Sequence, residues 1–187
     1  MSKKIYTLLL IFNVTFLIFN SHAATNVPGG NISGHWTLAG SPYNINGSVI
    51  IPNDSTLIID PGVSVVFQTA NKLRMLVNGR ILAEGNATDS IFFTAADIVN
   101  GFGGIRFISP AASNDSSKFR YCSFSYGKTG NSPYQHGGAL YFENWSKAIV
   151  FHSKISNCTA SKGGAIYIIN SDVIISNNYI SNNSATL

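Results

Sequence analysis

A repeat in the second half of the chain constrains the fold more than any other sequence feature. Gly137–Tyr141 returns as Gly163–Tyr167, and Ile155–Ala160 returns as Ile180–Ala185, a spacing of about 25 residues that is typical of stacked supersecondary units. The repeated segments are short apolar runs broken by Gly, Asn and Ser, without helical periodicity. The sequence therefore predicts an all-β fold, a right-handed single-stranded parallel β-helix with ~6–7 coils.

The same alignment predicts which residues lie above one another in neighbouring coils. Apolar positions that recur at equivalent points are expected to point inward and to form columns in one continuous core. Two predicted columns are Phe119, Val150 and Ile175, and Phe124, Ile155 and Ile180.

The amino-terminal half contains a similar pattern, in which Ile45–Ile51 is aligned with Val77–Ala83. Both segments contain Asn-Gly, and Gly47 and Gly79 are expected to take positive φ at sharp corners. The Gly-Gly pairs of the later repeats are interpreted as tight corners before strands, because no helix follows them to form a phosphate site.

Two other repeated features bear on the corners between strands. Asn157 and Asn182 recur at one corner, where stacked side-chain amides are expected to hydrogen-bond from coil to coil. Cys122 and Cys158 are aligned with different points of the coil, which favours two small buried thiols over a disulfide bond, although export would permit one.

The amino terminus predicts export. Lys3 and Lys4 precede an apolar run from Ile5 to Phe19, and small residues end at Ala23, so residues 1–23 are interpreted as a signal peptide. The alternative is a membrane anchor, but the run is shorter than the ~20 residues that span a bilayer. Residues 24–187 are expected to form one β-helix domain, with amino-terminal coils at 34–108 and Gly-Gly-Ala coils at 119–187.

The low content of charged residues bears on which partners the chain could bind. Only 11% of the residues are charged, well below the usual ~25%, and Lys and Arg are scattered along the chain. Nucleic-acid binding, which needs clustered cations, is therefore not predicted.

The final repeat stops at Leu187 where another coil would begin, so the chain is expected to be the front part of a longer protein with an open β edge.

Three segments carry a family resemblance: Trp36–Tyr43, Thr56–Val63 and Gly79–Gly85. They resemble the opening coils of secreted right-handed parallel β-helix surface proteins of Bacteroidota, which share the pectin-lyase-like fold, and the resemblance extends from about Gly34 to the end. Gly163–Ile166 is similar to the Gly-Gly-Ala-Ile motif of chlamydial polymorphic outer-membrane proteins, although Ile180 replaces the Phe of their accompanying motif. The resemblance implies a secreted, cell-surface or outer-membrane location, for either polysaccharide-cutting enzymes or adhesins.

No catalytic constellation stands out. A glycosidase needs two carboxylates facing one cleft, and no acidic pair recurs at a suitable spacing. A Ca²⁺-dependent lyase would need a cation near a Ca²⁺ site, and Arg106 with Asp97 is a weak combination. The histidines lack metal-ligand spacing, so no catalytic residue, metal site or cofactor, Ca²⁺ included, is indicated. The candidate carbohydrate-binding residues are aromatic: Tyr134, Tyr141, Trp145 and Tyr167.

The functional hypothesis is a non-enzymatic adhesin, binding protein or structural stalk, with a polysaccharide or a host or cell-surface glycan as partner. The membrane would be contacted only through the signal peptide or a missing carboxy-terminal region. The alternative is a lyase or glycoside hydrolase whose active site lies in coils beyond Leu187.

Overall fold

The computed structural model describes residues 23–68, 71–108, 116–130 and 132–187. The predicted signal peptide lies outside these residues except at its last position. The regular secondary structure of the described chain is almost entirely β-strand, with a single 3₁₀ turn at Leu38–Gly40. The first four coils contain β1 (Thr25–Val27), β2 (Gly30–Asn31), β3 (Gly34–Trp36), β4 (Tyr43–Ile45), β5 (Val49–Ile51), β6 (Thr56–Ile59), β7 (Ser64–Phe67), β8 (Met75–Val77), β9 (Arg80–Glu84), β10 (Ile91–Ala95), β11 (Ile105–Ile108) and β12 (Ser117–Arg120).

The later coils follow the same order, and a short extra strand joins the last two coils. Their strands are β13 (Cys122–Ser125), β14 (Leu140–Glu143), β15 (Ala148–Phe151), β16 (Lys154–Ser156), β17 (Thr159–Ala160), β18 (Ile166–Ile169), β19 (Val173–Ser176), β20 (Tyr179–Ser181) and β21 (Ser184–Ala185).

Every third strand of the first five coils joins the same parallel sheet. Sheet A has the order β1-β4-β7-β10-β13-β16-β20, sheet B the order β2-β5-β8-β11-β14-β18, and sheet C the order β3-β6-β9-β12-β15-β19, with β17 paired to β21. The chain therefore winds through six complete coils and begins a seventh, which confirms the predicted parallel β-helix. Parallel crossovers are right-handed in nearly all proteins, and this is the hand expected here.

The predicted inward columns are confirmed by the strand register. Phe119 pairs with Val150 and Phe124 with Ile155, and both columns continue into the last coils. Phe119 and Phe124 are fully buried, whereas Ile180 in the last coil is 49% exposed although it keeps the register. A further buried column on sheet B stacks Phe107 on Phe142, with ring centroids 4.7 Å apart. The core is thus one continuous apolar and aromatic stack along the solenoid axis.

The predicted alignment of Ile45–Ile51 with Val77–Ala83 is wrong, because the two segments begin on different sheets. Ile45 lies on sheet A and is in register with Phe67, whereas Val77 lies on sheet B below Ile51. The two aligned segments share the sequence of a strand, a corner and a second strand, but they begin on different sides of the coil. Local sequence similarity at a corner therefore did not reveal which sheet the strand joins.

Two kinds of glycine form the corners. Gly137 and Gly163 take φ of 66° and 61°, as a tight corner before a strand requires, so that interpretation of the Gly-Gly pairs is confirmed. Gly47 and Gly79 do not take positive φ, contrary to prediction. They are glycines because neighbouring coils approach closely: a Cβ at Gly79 would lie 2.1 Å from the carbonyl oxygen of Pro52.

Side-chain amides do connect the coils, but from a different position than predicted. Asn157 and Asn182 are exposed and take φ of 57° and 54°. The next residue, Asn183, accepts a hydrogen bond from the Cys158 amide at 2.9 Å and donates one to the Ile155 carbonyl at 2.9 Å. The amide that bridges two coils therefore follows the corner residue.

The two cysteines are free and buried, as the alignment favoured. The Cys122 thiol donates to the Ala83 carbonyl, and the Cys158 thiol donates to the Ser156 carbonyl. Burial raises the pKa of both thiols, to about 11 for Cys158. At neutral pH both are protonated small core side chains.

Candidate functional site

A column of outward-facing residues runs along sheet B. Strand side chains alternate between the two faces, so the residues between the inward Ile105 and Phe107, and between Leu140 and Phe142, point outward. The strand pairings place these residues directly above one another. We call this column the sheet-B strip; it comprises Ile50, Leu76, Arg106, Tyr141 and Tyr167.

The connection between β13 and β14 packs against this strip and adds two more rings. The ring of Tyr134 lies 3.8 Å from the guanidinium carbon of Arg74 and 5.4 Å from that of Arg106. The imidazole of His136 stacks on Tyr167 with a centroid distance of 4.8 Å. A long connection thus places aromatic side chains over a rigid sheet, an arrangement common at binding sites.

Arg106 is the least expected member of the strip, because it is a charged residue that is only 1% exposed. Its Nη1 donates to the His136 carbonyl at 3.1 Å, and its guanidinium carbon lies 4.1 Å from the Tyr141 ring centroid. Burial lowers the pKa of Arg106 to about 10, and the positive charge of Arg74 acts in the same direction. Arg106 therefore remains a cation at neutral pH in a poorly solvated position.

In the part of the chain that the structure describes, no carboxylate lies within ion-pair distance of Arg106, although Glu143 favours its charged form from further away. The one ion pair found there joins His35 Nε2 to Asp60 Oδ1 at 2.6 Å, on sheet C. Glu143 lies at the edge of the strip, where its Oε2 accepts a hydrogen bond from the Tyr141 hydroxyl at 2.8 Å. Burial and this bond raise the pKa of Tyr141 to about 12, so the hydroxyl stays protonated.

Unpartnered polar atoms are concentrated at the strip. Among the described residues, four buried side-chain polar atoms lack a hydrogen-bond partner, and three of them are Arg74 Nε, Arg106 Nε and His136 Nδ1. Buried polar groups in native proteins are nearly always paired, so such a cluster calls for an explanation. Burial lowers the pKa of His136, as do the charges of Lys162 and Arg106, so its ring is mainly neutral at pH 7.

A cavity of about 210 Å³ opens beside these residues. Arg74, Arg106 and Tyr134 supply its polar and aromatic wall, and Ile50 and Leu76 supply much of its apolar floor. Two larger depressions, of about 420 and 570 Å³, lie elsewhere on the surface. Both are more open, and neither combines a buried arginine with aromatic rings, so the cavity at the strip is the better candidate.

The structure brings together three of the four aromatic candidates. Tyr134, Tyr141 and Tyr167 all belong to the strip or its covering connection, and Tyr141 and Tyr167 stack at 5.7 Å. Tyr141 is itself only 8% exposed, so Tyr134 and Tyr167 offer more of their rings to a ligand. Trp145 does not join them: it is fully buried, it packs edge-on against Phe107, and its Nε1 donates to a backbone carbonyl. Trp145 is therefore a core residue that is closed to ligand.

Sequence reasoning missed the cationic part of the site. Arg74 showed no distinguishing pattern, and Arg106 was considered only with Asp97. Asp97 instead accepts hydrogen bonds from Val99 and Asn100 in its own loop. The alternation of β11 was the available signal, since it places Arg106 on the outer face between inward Ile105 and Phe107.

In the described ranges no group of three His, Cys, Asp or Glu residues could hold a metal ion. Within the same ranges no helix has the length and apolar character needed to cross a membrane. Comparison with protein-family models, curated proteins and solved structures finds no significant match.

Proposed function

We propose that this chain is an exported or cell-surface β-helix protein that binds a polysaccharide or cell-surface glycan, without cleaving it, through the sheet-B strip. The observation that carries the proposal is the outward column of Arg106, Tyr141 and Tyr167, with Tyr134 packed over it. Aromatic faces provide apolar contact area, and the neighbouring polar groups orient a ligand.

The shape of the strip supports an extended ligand. Tyr141 and Tyr167 lie on neighbouring strands, which are spaced about 4.8 Å apart along the solenoid axis. Their rings are nearly parallel, with an interplanar angle of 8°. A linear glycan could therefore run along the axis and contact successive coils, while the sheet holds the contact residues rigidly.

The chemistry of the strip favours binding over hydrolysis. Glycoside hydrolysis requires two carboxyl groups on opposite sides of the scissile bond. Among the described residues, the carboxylate at this strip is that of Glu143, and it already accepts a hydrogen bond from the Tyr141 hydroxyl. The groups that face the cavity are instead arginine, tyrosine and aliphatic side chains.

A glycan array probed with fluorescently labelled protein tests this proposal, followed by titration of the strongest array ligand. Tyr167→Ala is expected to weaken binding by about tenfold, equivalent to about 1.4 kcal/mol. Tyr179→Ala is the matched control, because Tyr179 is 64% exposed on sheet A, away from the strip. The proposal is overturned if the array shows no binding, or if the two variants bind alike.

A further inference from the structure

We propose that the glycan bound at the sheet-B strip is acidic, and that its carboxylate or sulfate group binds between the guanidinium groups of Arg74 and Arg106. This inference rests on the proposed function and names the ligand class of the same site. Its observations are distinct from the aromatic ones: two adjacent cations, their unpartnered donors, and a small cavity that both line.

Arg106 carries its positive charge in a buried position. Native proteins pair a buried charge with an opposite one, because an unpaired ion loses its hydration without compensation. Arg106 is 1% exposed, and among the described side chains no carboxylate lies within ion-pair distance of it. Glu143 favours its charged form from further away, but that carboxylate already accepts a hydrogen bond from Tyr141. An anion from a ligand would supply the missing opposite charge.

Both arginines have hydrogen-bond donors without an acceptor. Arg106 uses Nη1 on the His136 carbonyl, but its Nε–H has no acceptor, and the Nε–H of Arg74 has none either. The rings of Tyr134 and Tyr141 attract the guanidinium charges but offer no lone pair in line with these donors. A planar fork of N–H groups matches the paired oxygens of a carboxylate or sulfate.

Arg74 places a second cation beside Arg106. Arg74 lies close enough to Arg106 for its charge to lower the pKa of Arg106, and both guanidinium groups lie against Tyr134. Two like charges in a partly desolvated place repel each other, and an anion between them removes that repulsion. The site is thus arranged for negative charge and not for a neutral hydroxyl.

The cavity between the arginines and Tyr134 is small. The cavity of about 210 Å³ is smaller than the 300–1,000 Å³ typical of pockets that enclose a whole drug-sized ligand. It suits one charged sugar residue, whose apolar face would contact Ile50 and Leu76. The remaining residues of the glycan would then continue along Tyr141 and Tyr167.

The test uses matched tetrasaccharides with β-1,4-glucan, α-1,4-glucan and β-1,3-glucan skeletons. Each skeleton is offered as the neutral parent, the 6-carboxylate and the 6-sulfate, and binding is measured by calorimetry at low and high salt. We expect charged members to bind at least tenfold more tightly than their neutral parents, with a preference that falls as salt rises. Comparing carboxylate with sulfate identifies the anion.

Arg74→Gln is expected to reduce the preference for charged members to within about twofold, while thermal unfolding shows that the fold is retained. Arg106→Lys keeps the charge but loses the planar fork, and is expected to weaken binding of charged members less than Arg74→Gln does. Arg120→Gln is the control, because Arg120 also lies near aromatic rings, Tyr121 and Phe151, on another face.

The outcomes separate this inference from the proposed function. Equal affinity for neutral and charged members, or an unchanged preference in Arg74→Gln, overturns the anion site while glycan binding stands. Failure of every member, together with a silent glycan array, overturns the proposed function and this inference with it. A change in thermal stability of Arg74→Gln without any change in binding shows that the arginines only support the fold.

Discussion

Replacing Phe107 by alanine tests whether the aromatic column inside the solenoid holds the coils together. Phe107 is fully buried, and its ring centroid lies 4.7 Å from that of Phe142, 4.9 Å from Trp145 and 6.0 Å from Phe119. Truncating such a residue removes its transfer free energy and leaves a cavity, at a combined loss of about 3–5 kcal/mol. That loss is a large part of the ~5–15 kcal/mol stability of an ordinary domain.

Urea unfolding followed by circular dichroism measures the effect. A loss of about 4 kcal/mol with an m-value of about 2.5 kcal/mol/M lowers the urea midpoint by about 1.6 M. Phe92→Ala is the matched control, because Phe92 lies on β10 of the same coil, points outward and is 45% exposed. It should lose about 1 kcal/mol or less, since much of that ring stays in contact with water. Equal losses in the two variants would refute the inward and outward assignment.

Three further changes probe the corners and the buried thiols. Gly138→Ala should destabilise the protein by about 1–3 kcal/mol in a urea titration, because the added Cβ would lie 2.0 Å from the Gly164 carbonyl oxygen. Gly130→Ala should be nearly neutral, because the nearest atom to its added Cβ, on the Lys72 side chain, is 3.7 Å away. Asn183→Ala should lose about 1–3 kcal/mol, since two backbone groups lose their partner, and unchanged stability would contradict the bridging role. At pH 8 the Cys158 thiol, with its pKa raised to about 11, should react with iodoacetamide at least ~100-fold more slowly than in the urea-unfolded chain, and rapid native labelling would contradict its burial.

The carboxy-terminal coils were predictable because their spacing is constant. The side chain of Asn178 reaches the amide of Ser153 across 25 residues, and that of Asn183 reaches Cys158 across the same number. Equal spacing kept Tyr141 in line with Tyr167 and the inward columns in register. In earlier coils the equivalent contact spans 31 residues from Cys122 to Ser153.

The strand register of the amino-terminal coils was harder to predict, because the spacing between equivalent residues is not constant there. Corresponding contacts there span 36 residues, from Ile81 to Ser117, but only 23 from Ser41 to Ser64. Loops of unequal length remove the constant period on which repeat detection depends. Close backbone approach, which explains Gly79, leaves the same sequence signature as positive φ.

The candidate site was predicted only in its aromatic part. Equivalent positions in the repeat identified Tyr141 and Tyr167, but outward direction and stacking needed the strand register. Trp145 was misleading because a tryptophan in a loop-like sequence suits a binding surface and a core corner equally well. Arg74 and Arg106 come together only through the pairing of β8 with β11, across a long connection.

Mapping a bound glycan by NMR shows whether the sheet-B strip is the surface that binds it. The purified chain is titrated with the tightest tetrasaccharide of the matched series, and shifts of backbone amides are followed residue by residue. If the strip binds the glycan, we expect the largest changes on Leu76, Arg106, Tyr141 and Tyr167 and on the connection around Tyr134. Changes confined to sheet A or sheet C, or no changes at a saturating concentration, would contradict binding at the strip.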